Sequence, residues 1–294
     1  MSDKSTILLH LDTDPHPSAF DRVVAVDAGA MHIFSYGGVT TEAVKPLVQG
    51  CIFTRGAKDL HRTAIFIGGS DLAAGAAVYH EVKRHLLPML KLSVSVMLDS
   101  NGSNTTAAAA VIAAGRHLDL TTAKSLILGG TGPVGQRAAL LLAKQGGHVR
   151  IGSRKLEKAQ EVVELLRHDL PKAKLEAVAT ASSSDGPQAL SDRDLVIAAG
   201  AGGVLMLPEK QRLAAKQLRV AIDLNGEPPA GIEGIELNDK ATNRGECLCY
   251  GALGVGNTKM RIHKSALAAL FTRSDLAFDA ESIFDLGRSL EIPA

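Results

Sequence analysis

Ser125-Leu126-Ile127-Leu128-Gly129-Gly130-Thr131-Gly132-Pro133-Val134-Gly135 is the stretch that decides the fold. It reads as a short buried strand, a glycine turn and the first turn of a helix. Gly130, Gly132 and Gly135 fit the G-x-G-x-x-G spacing of a dinucleotide-binding βαβ unit, with Thr131, Pro133 and Val134 between them. In such a unit the first glycine permits a tight turn. The second lets the backbone approach a pyrophosphate, and the third lets helix and strand pack closely. The phosphates rest on N–H groups at the helix N-terminus, where the helix dipole favours negative charge. We expect residues 130–135 to contact the cofactor.

With 29 glycines in the chain, such a spacing also arises by chance, and a structural turn in an ordinary α/β protein is the alternative. The flanks favour the nucleotide. An apolar run precedes the turn, and Ala138-Ala139-Leu140-Leu141-Leu142-Ala143 follows it with helical patterning, closed by Gly146-Gly147. A second strand, Val149-Arg150-Ile151, comes next.

That strand identifies the nucleotide. When the ligand is NAD, an Asp or Glu about twenty residues past the turn binds the ribose 2′-hydroxyl. Here the strand runs into Gly152-Ser153-Arg154-Lys155, a hydroxyl and two cations. Arg154 is able to hold a 2′-phosphate bidentately, with Ser153 and Lys155 beside it. NADP is therefore the expected cofactor, and NAD stays open as a second. A solvated helix start is the alternative reading of Arg154 and Lys155.

The rest of the composition excludes several classes. At 294 residues the length prior is roughly two domains. Net charge is +1, too small for the electrostatic footprint of nucleic-acid binding, and aromatics at 3% supply few stacking platforms. Cys51, Cys247 and Cys249 form no disulfide framework, which points to a reducing compartment. Asp3, Asp12 and Asp14 break up any secretory leader, and no apolar run is long enough to span a bilayer. A cytoplasmic protein is expected.

In chain order, strands alternate with helices, which implies parallel sheets and an α/β fold: a Rossmann-type domain and a second α/β domain. Strands are expected at Ile7-Leu8-Leu9, Val23-Val24-Ala25-Val26, Gly50-Cys51-Ile52-Phe53, Ala64-Ile65-Phe66-Ile67 and Val94-Ser95-Val96-Met97-Leu98. Ser18 opens a helix, Thr40 another over 40–48, and Gly68-Gly69-Ser70-Asp71 leads into a third over 72–87. Asp99-Ser100-Asn101-Gly102-Ser103-Asn104-Thr105-Thr106 is a polar loop before an Ala-rich helix at 107–114. Loops after parallel strands are where such folds bind ligands, so ligand contact is weighed above an elaborate helix cap. Further on come a helix over 155–167, a loop Ser182-Ser183-Ser184-Asp185-Gly186-Pro187, strands at 194–200 and 219–225, a turn at 226–229, and helices around 259–271 and 280–290. We place a substrate domain at 1–107 with 268–294, and the nucleotide domain at 108–267.

Other constellations are set aside. His80 and His85 are five apart, about 140° around a helix, whereas a zinc-protease pair needs four. Cys247-Leu248-Cys249 has no partner pair for a metal. No G-x-S-x-G elbow occurs. His263 is weighed as a catalytic group, with a packed or solvated histidine as the favoured alternative.

With these residues in view, the sequence resembles the NADP-dependent methylene-tetrahydromethanopterin dehydrogenases of bacterial one-carbon metabolism. The likeness runs over nearly the whole chain. It rests on Leu11-Asp12-Thr13-Asp14, Ser18-Ala19-Phe20-Asp21, Phe53-Thr54-Arg55-Gly56-Ala57-Lys58, Ala64 through Gly69, Met97 through Thr106, Gly130 through Gly135, Arg154-Lys155-Leu156 and Tyr250-Gly251-Ala252-Leu253-Gly254. The resemblance implies hydride transfer from 5,10-methylene-tetrahydromethanopterin to NADP⁺, giving the methenyl form and NADPH. It also implies a pterin site between the two domains and a homo-oligomer, a trimer being one form.

That chemistry needs no acid–base triad, because the two nitrogens flanking the methylene carbon stabilise the resulting cation. Orientation and electrostatics are what remain for the protein. On this footing Asp21 binds pterin or offsets the cation, Phe20 packs on the ring, Asn101 and Asn104 bond the pterin edge, and Lys259 holds a pterin polar group. For Asp21 a helix-start role stays open, and for Lys259 a salt-bridged surface. Three rivals remain: the same reaction on tetrahydrofolate, a non-catalytic NADPH sensor, and a hydroxy-acid dehydrogenase of the shikimate type using Lys58 with Asp99. No nucleic acid or membrane partner is expected.

Overall fold

The computed structural model describes residues 4–181 and 185–291. Asp3 and Ser182-Ser183-Ser184, read above, lie outside the described residues. The chain divides into two compact units, Met1–Thr105 with Met260–Ala294, and Thr106–Lys259.

The first unit begins with β1 (Ile7–Asp12), α1 (Ala19–Asp27), β2 (His32–Tyr36), α2 (Thr41–Ile52), β3 (Thr63–Gly68), α3 (Leu72–His85), β4 (Ser95–Leu98) and α4 (Ser103–Gly115), the last of which carries the chain into the second unit. All the strand pairings of its sheet are parallel. Leu9, Leu11, Ile65, Ile67, Val96 and Leu98 pack with Val44, Val48, Cys51, Ile52, Val78 and Val82 from α2 and α3. Because side chains alternate along a strand, His10, Phe66 and Met97 face the other way.

Two expected strands are helical instead. Val23-Val24-Ala25-Val26 lies inside α1, whose start is fixed by the Ser18 hydroxyl accepting from Asp21 N at 3.2 Å. Val24 and Ala25 are buried while Val23 and Val26 are exposed, a helical pattern and not an alternating one. Gly50-Cys51-Ile52-Phe53 likewise continues α2, where Val44, Val48, Cys51 and Ile52 make one buried stripe at helical spacing. One of the strands that sequence reasoning missed, β2, sits at the sheet edge with alternate residues exposed, so it carries no buried-strand signature. α4 starts four residues ahead of the expected helix at 107. The Asp99 carboxylate accepts from Asn104 N (2.8 Å) and Thr105 N (3.1 Å) and draws that segment into the first turn.

The second unit contains β5 (Lys124–Leu128), α5 (Pro133–Lys144), β6 (His148–Ser153), α6 (Leu156–Asp169), β7 (Lys174–Ala179), α7 (Asp185–Leu190), β8 (Leu195–Ala198), α8 (Glu209–Ala214), β9 (Val220–Asp223), β10 (Lys240–Arg244) and β11 (Cys247–Tyr250). Asp185-Gly186-Pro187, expected as loop, opens α7. Strand order is β10-β11-β9-β8-β5-β6-β7, all parallel except the β10–β11 hairpin. The chain winds from β5 outward to β7, then returns to lay β8 on the other flank of β5. That reversal is the topological switch point at which doubly wound sheets bind dinucleotides. α9 (Ala252–Ala269) brings the chain back to the first unit, where β12 (Ala277–Phe278) completes the order β12-β4-β3-β1-β2 and α10 (Ala280–Ser289) follows a capping box at Asp279.

The turn after β5 is built backbone on backbone. A Cβ on Gly135 stands 2.6 Å from Gly129 O and 2.7 Å from the Gly130 Cα. Neither atom can yield without moving the turn. Gly135→Ala is therefore expected to lower the unfolding free energy by roughly 1–3 kcal/mol, read as a reduced urea midpoint at unchanged slope. An unchanged midpoint contradicts this packing.

Candidate active site

In the second unit the switch point carries the glycine turn. The left-handed residue is Gly129 at φ +69°, one position before the motif, and not Gly130. A Cβ there meets the Gly200 Cα at 2.5 Å, so the β5 turn lies directly on the loop after β8. Gly130 is constrained by packing: its Cβ meets Ile151 Cγ2 at 2.8 Å, and its N–H bonds Gly152 O at 2.9 Å. Gly132 differs, since its Cβ has no neighbour closer than 3.4 Å. Gly132 is the N-cap of α5, and no side chain caps that end. Pro133 follows at the first helical position, where its missing N–H costs nothing. Gln136 Nε2 donates to Thr131 O at 2.8 Å and holds the turn from behind. Helix N–H groups without side-chain caps, beside a glycine, fit a pyrophosphate.

β6 ends at Ser153, buried, whose hydroxyl accepts from Lys155 N at 3.3 Å. Arg154 and Lys155 are exposed, and neither side chain has an ion-pair partner among the described residues. No acid stands between Gly152 and α6. Across the switch point, the loops after β8 and β9 clasp. Met206 N and Leu207 N donate to Gly231 O at 2.9 and 3.0 Å, and Glu227 lies against Gly202. Asp223, at the end of β9, fixes the second loop by accepting from Asn225 N and Ile232 N at 3.0 Å each. Burial pushes its pKa up, against the lowering effect of those backbone donors.

In the first unit the C-terminal ends of β1, β3 and β4 carry a polar cluster. Asp12 Oδ1 accepts from Asp14 N at 2.9 Å, its Oδ2 from Ser18 N at 3.0 Å, and His10 Nε2 lies 3.2 Å from Oδ2. The loop between β1 and α1 is thus wound around one carboxylate. Asp99, fully buried, accepts from Thr105 Oγ1 at 2.6 Å besides the two α4 amides. His263 on α9 is fully buried with Nδ1 3.7 Å from Asp99 Oδ2 and Nε2 3.9 Å from Asp21 Oδ1. Its ring stacks on Phe66 at 5.9 Å and meets Phe20 edge-on at 6.2 Å.

Of the residues expected to hold substrate, Asp21 is half-buried and Phe20 is 52% exposed, both in the first turn of α1. Asn101 is exposed and left-handed at φ 55°. Asn104 is turned inward, its Nδ2 donating to Leu98 O at 2.6 Å. Lys259 is half-buried on α9, one turn before His263. Lys58 lies in the turn that precedes β3, whereas Asp99 follows the parallel β4, so the dyad required by the hydroxy-acid rival is split across opposite ends of the sheet. Sequence reading missed Gly129, Gly200, His10 and the anchoring role of Asp12. The doubled glycines at 129–130 were the available signal.

A family model described as methylene-tetrahydromethanopterin dehydrogenase, N-terminal, matches residues 19–101. The chain is 42% identical over 286 residues to the bifunctional protein MdtA of Methylorubrum extorquens strain AM1, covering 97% of this chain and 98% of that protein. It is 34% identical over 262 residues to the NAD(P)-dependent methylenetetrahydromethanopterin dehydrogenase of the same organism, covering 86% of this chain and 87% of that one. Among solved structures, quinate dehydrogenase from Corynebacterium glutamicum in complex with NAD superposes with a TM-score of 0.52 at 14% identity, over 97% of this chain and 99% of that one. That likeness shows the fold alone. No helix among the described residues is long and apolar enough to cross a membrane.

Burial holds the pKa of His10 below its ordinary value, Arg22 adding to this and Asp12 opposing it. Its folded form therefore binds fewer protons than the unfolded chain just below about pH 6.5. The stability that neutral His10 contributes is present above that pH and lost as pH falls through it. We expect the loss of unfolding free energy between pH 7.5 and 5.5 to be smaller in His10→Gln than in the wild type. Equal losses contradict a buried neutral imidazole.

Proposed function

The chain belongs to the methylene-tetrahydromethanopterin dehydrogenase family, and on that premise we infer that it is an oxidoreductase that moves a hydride from 5,10-methylene-tetrahydromethanopterin to NADP⁺, giving the 5,10-methenyl form and NADPH in one-carbon metabolism. The match along nearly the full length of both relatives carries this reading. The second unit is the nucleotide domain in this account and the first is the pterin domain. We place the enzyme in the cytoplasm as a homo-oligomer, with a trimer as the form its family resemblance implies.

Bound NADP⁺ supplies the hydride acceptor at nicotinamide C4. The chain's own groups bind, orient and exclude water. Gly132 and the amides of the α5 N-terminus take the pyrophosphate, with Gly130, Thr131, Pro133, Val134 and Gly135 shaping the turn. Arg154 takes the 2′-phosphate, and Ser153 and Lys155 complete that end. An unpartnered guanidinium with no carboxylate beside it favours the extra phosphate over a bare ribose.

In the first unit the exposed Phe20 ring packs on the pterin, and Asp21 faces the charge that appears when the hydride leaves. Asn101 bonds a pterin polar group; Lys259, assigned the same role, is the last residue of the second unit. Asn104, already bonded to Leu98 O, keeps the end of β4 in shape for them. A carboxylate near a carbon turning cationic stabilises product and transition state more than the neutral reactant, which is the differential binding that accelerates a step.

Arg154→Ala is expected to raise the KM for NADP⁺ about tenfold or more, the loss of one charge-assisted contact, while the KM for NAD⁺ moves less than about twofold. Equal effects on both nucleotides overturn the 2′-phosphate assignment. Asp21→Asn is expected to lower kcat with NADPH affinity unchanged. Unaltered kcat removes Asp21 from the site.

A further inference from the structure

We propose that His263 is a positioning residue, holding the Asp21 carboxylate in place for the pterin carrier with Asp99 as the fixed anchor behind it. The proposal rests on the assignment of Asp21 to the carrier.

Three observations in the first unit carry it. The imidazole is fully buried, and each ring nitrogen faces a carboxylate: Nδ1 lies 3.7 Å from Asp99 Oδ2 and Nε2 lies 3.9 Å from Asp21 Oδ1. The two carboxylates differ in kind. Asp99 is immobilised by Asn104 N, Thr105 N and Thr105 Oγ1. Asp21 belongs to the first turn of α1, beside the exposed Phe20 ring. The imidazole between them is itself clamped, stacked at 22° on Phe66 with Phe20 against its edge. Order therefore passes from the end of β4, through a ring packed between Phe66 and Phe20, to the one carboxylate of the two that approaches solvent. Both separations lie beyond hydrogen-bond distance, and contacts of this kind at catalytic sites often tighten only when the ligand is bound. An apolar ring fills the same space without the cost of burying two ring nitrogens, so the imidazole is accounted for by the carboxylates it faces.

His263→Phe keeps the ring, its burial and its stack on Phe66 while deleting both nitrogens, and His263→Gln keeps one amide donor. In the full chain we expect kcat to fall about tenfold or more in His263→Phe and less in His263→Gln, with KM for NADP⁺ within about twofold of wild type. Adding His263→Phe to Asp21→Asn should cost almost nothing further, since residues acting through one another are not additive. Calorimetric binding of tetrahydromethanopterin, which needs no turnover, should weaken equally in His263→Phe, Asp21→Asn and the double variant. Wild-type kcat and binding in His263→Phe, or multiplicative losses in the double variant, overturn the proposal. Thermal unfolding of each variant separates collapse of the first unit from loss of positioning. A wild type that binds the carrier but forms no methenyl product refutes the reaction, while the binding cycle still decides on His263.

Discussion

The close approach of Gly129 to Gly200 is the constraint on which the nucleotide half depends. The two backbones meet with no room for a side chain on Gly129, at the point where the sheet reverses its winding. This contact aims the β5 turn so that the N-terminus of α5 opens into the crevice beside β8, and the left-handed conformation of Gly129 is what allows it. Gly130 and Gly135 then seal the turn against β6 and against itself, which leaves Gly132 as the one of the four where a Cβ meets its neighbours only at ordinary contact distance. Packing thus constrains three of the four glycines most tightly, and the fourth is the one we assign to the pyrophosphate.

The first unit divides its labour by sheet face. One face packs aliphatic side chains from the strands against α2 and α3. The other carries His10 and Phe66, with His263 stacked beside them and three carboxylates, Asp12, Asp21 and Asp99, around the strand ends. Burial of so many polar groups is unfavourable unless each is partnered, and most are bound to backbone amides or to one another. They fix charge in place. That suits a reaction in which the developing cation is stabilised by its own flanking nitrogens and the protein need only hold, orient and balance charge.

Sequence alone showed the parallel strands β1, β3, β4, β5, β6, β8 and β9, because their buried runs are continuous and bounded by glycine or polar turns. It showed the G-x-G-x-x-G turn and the basic end of β6 for the same local reason. It failed where helical and extended patterns coincide: Val23-Val24-Ala25-Val26 has strand-forming residues, yet tertiary burial of only Val24 and Ala25 made it helix. The β2 edge strand was illegible because exposed positions carry no pattern. The His263–Asp99–Asp21 cluster was invisible because it joins a residue of α9, the residue after β4 and a residue of α1, which no spacing relates. The buried His10 and Asp12 look, in sequence, like ordinary strand-end polar residues.

The most direct measurement follows the hydrogen itself. Tetrahydromethanopterin condensed with dideuterated formaldehyde carries the label only on its methylene carbon. Incubated with the full chain and NADP⁺ in ordinary water, it should give NADPH bearing one deuterium at C4 and methenyl carrier retaining the other, in equal amounts and with no solvent hydrogen at C4. Unlabelled NADPH, or no reduction of NADP⁺ at all, contradicts direct hydride transfer and with it the function assigned to this chain.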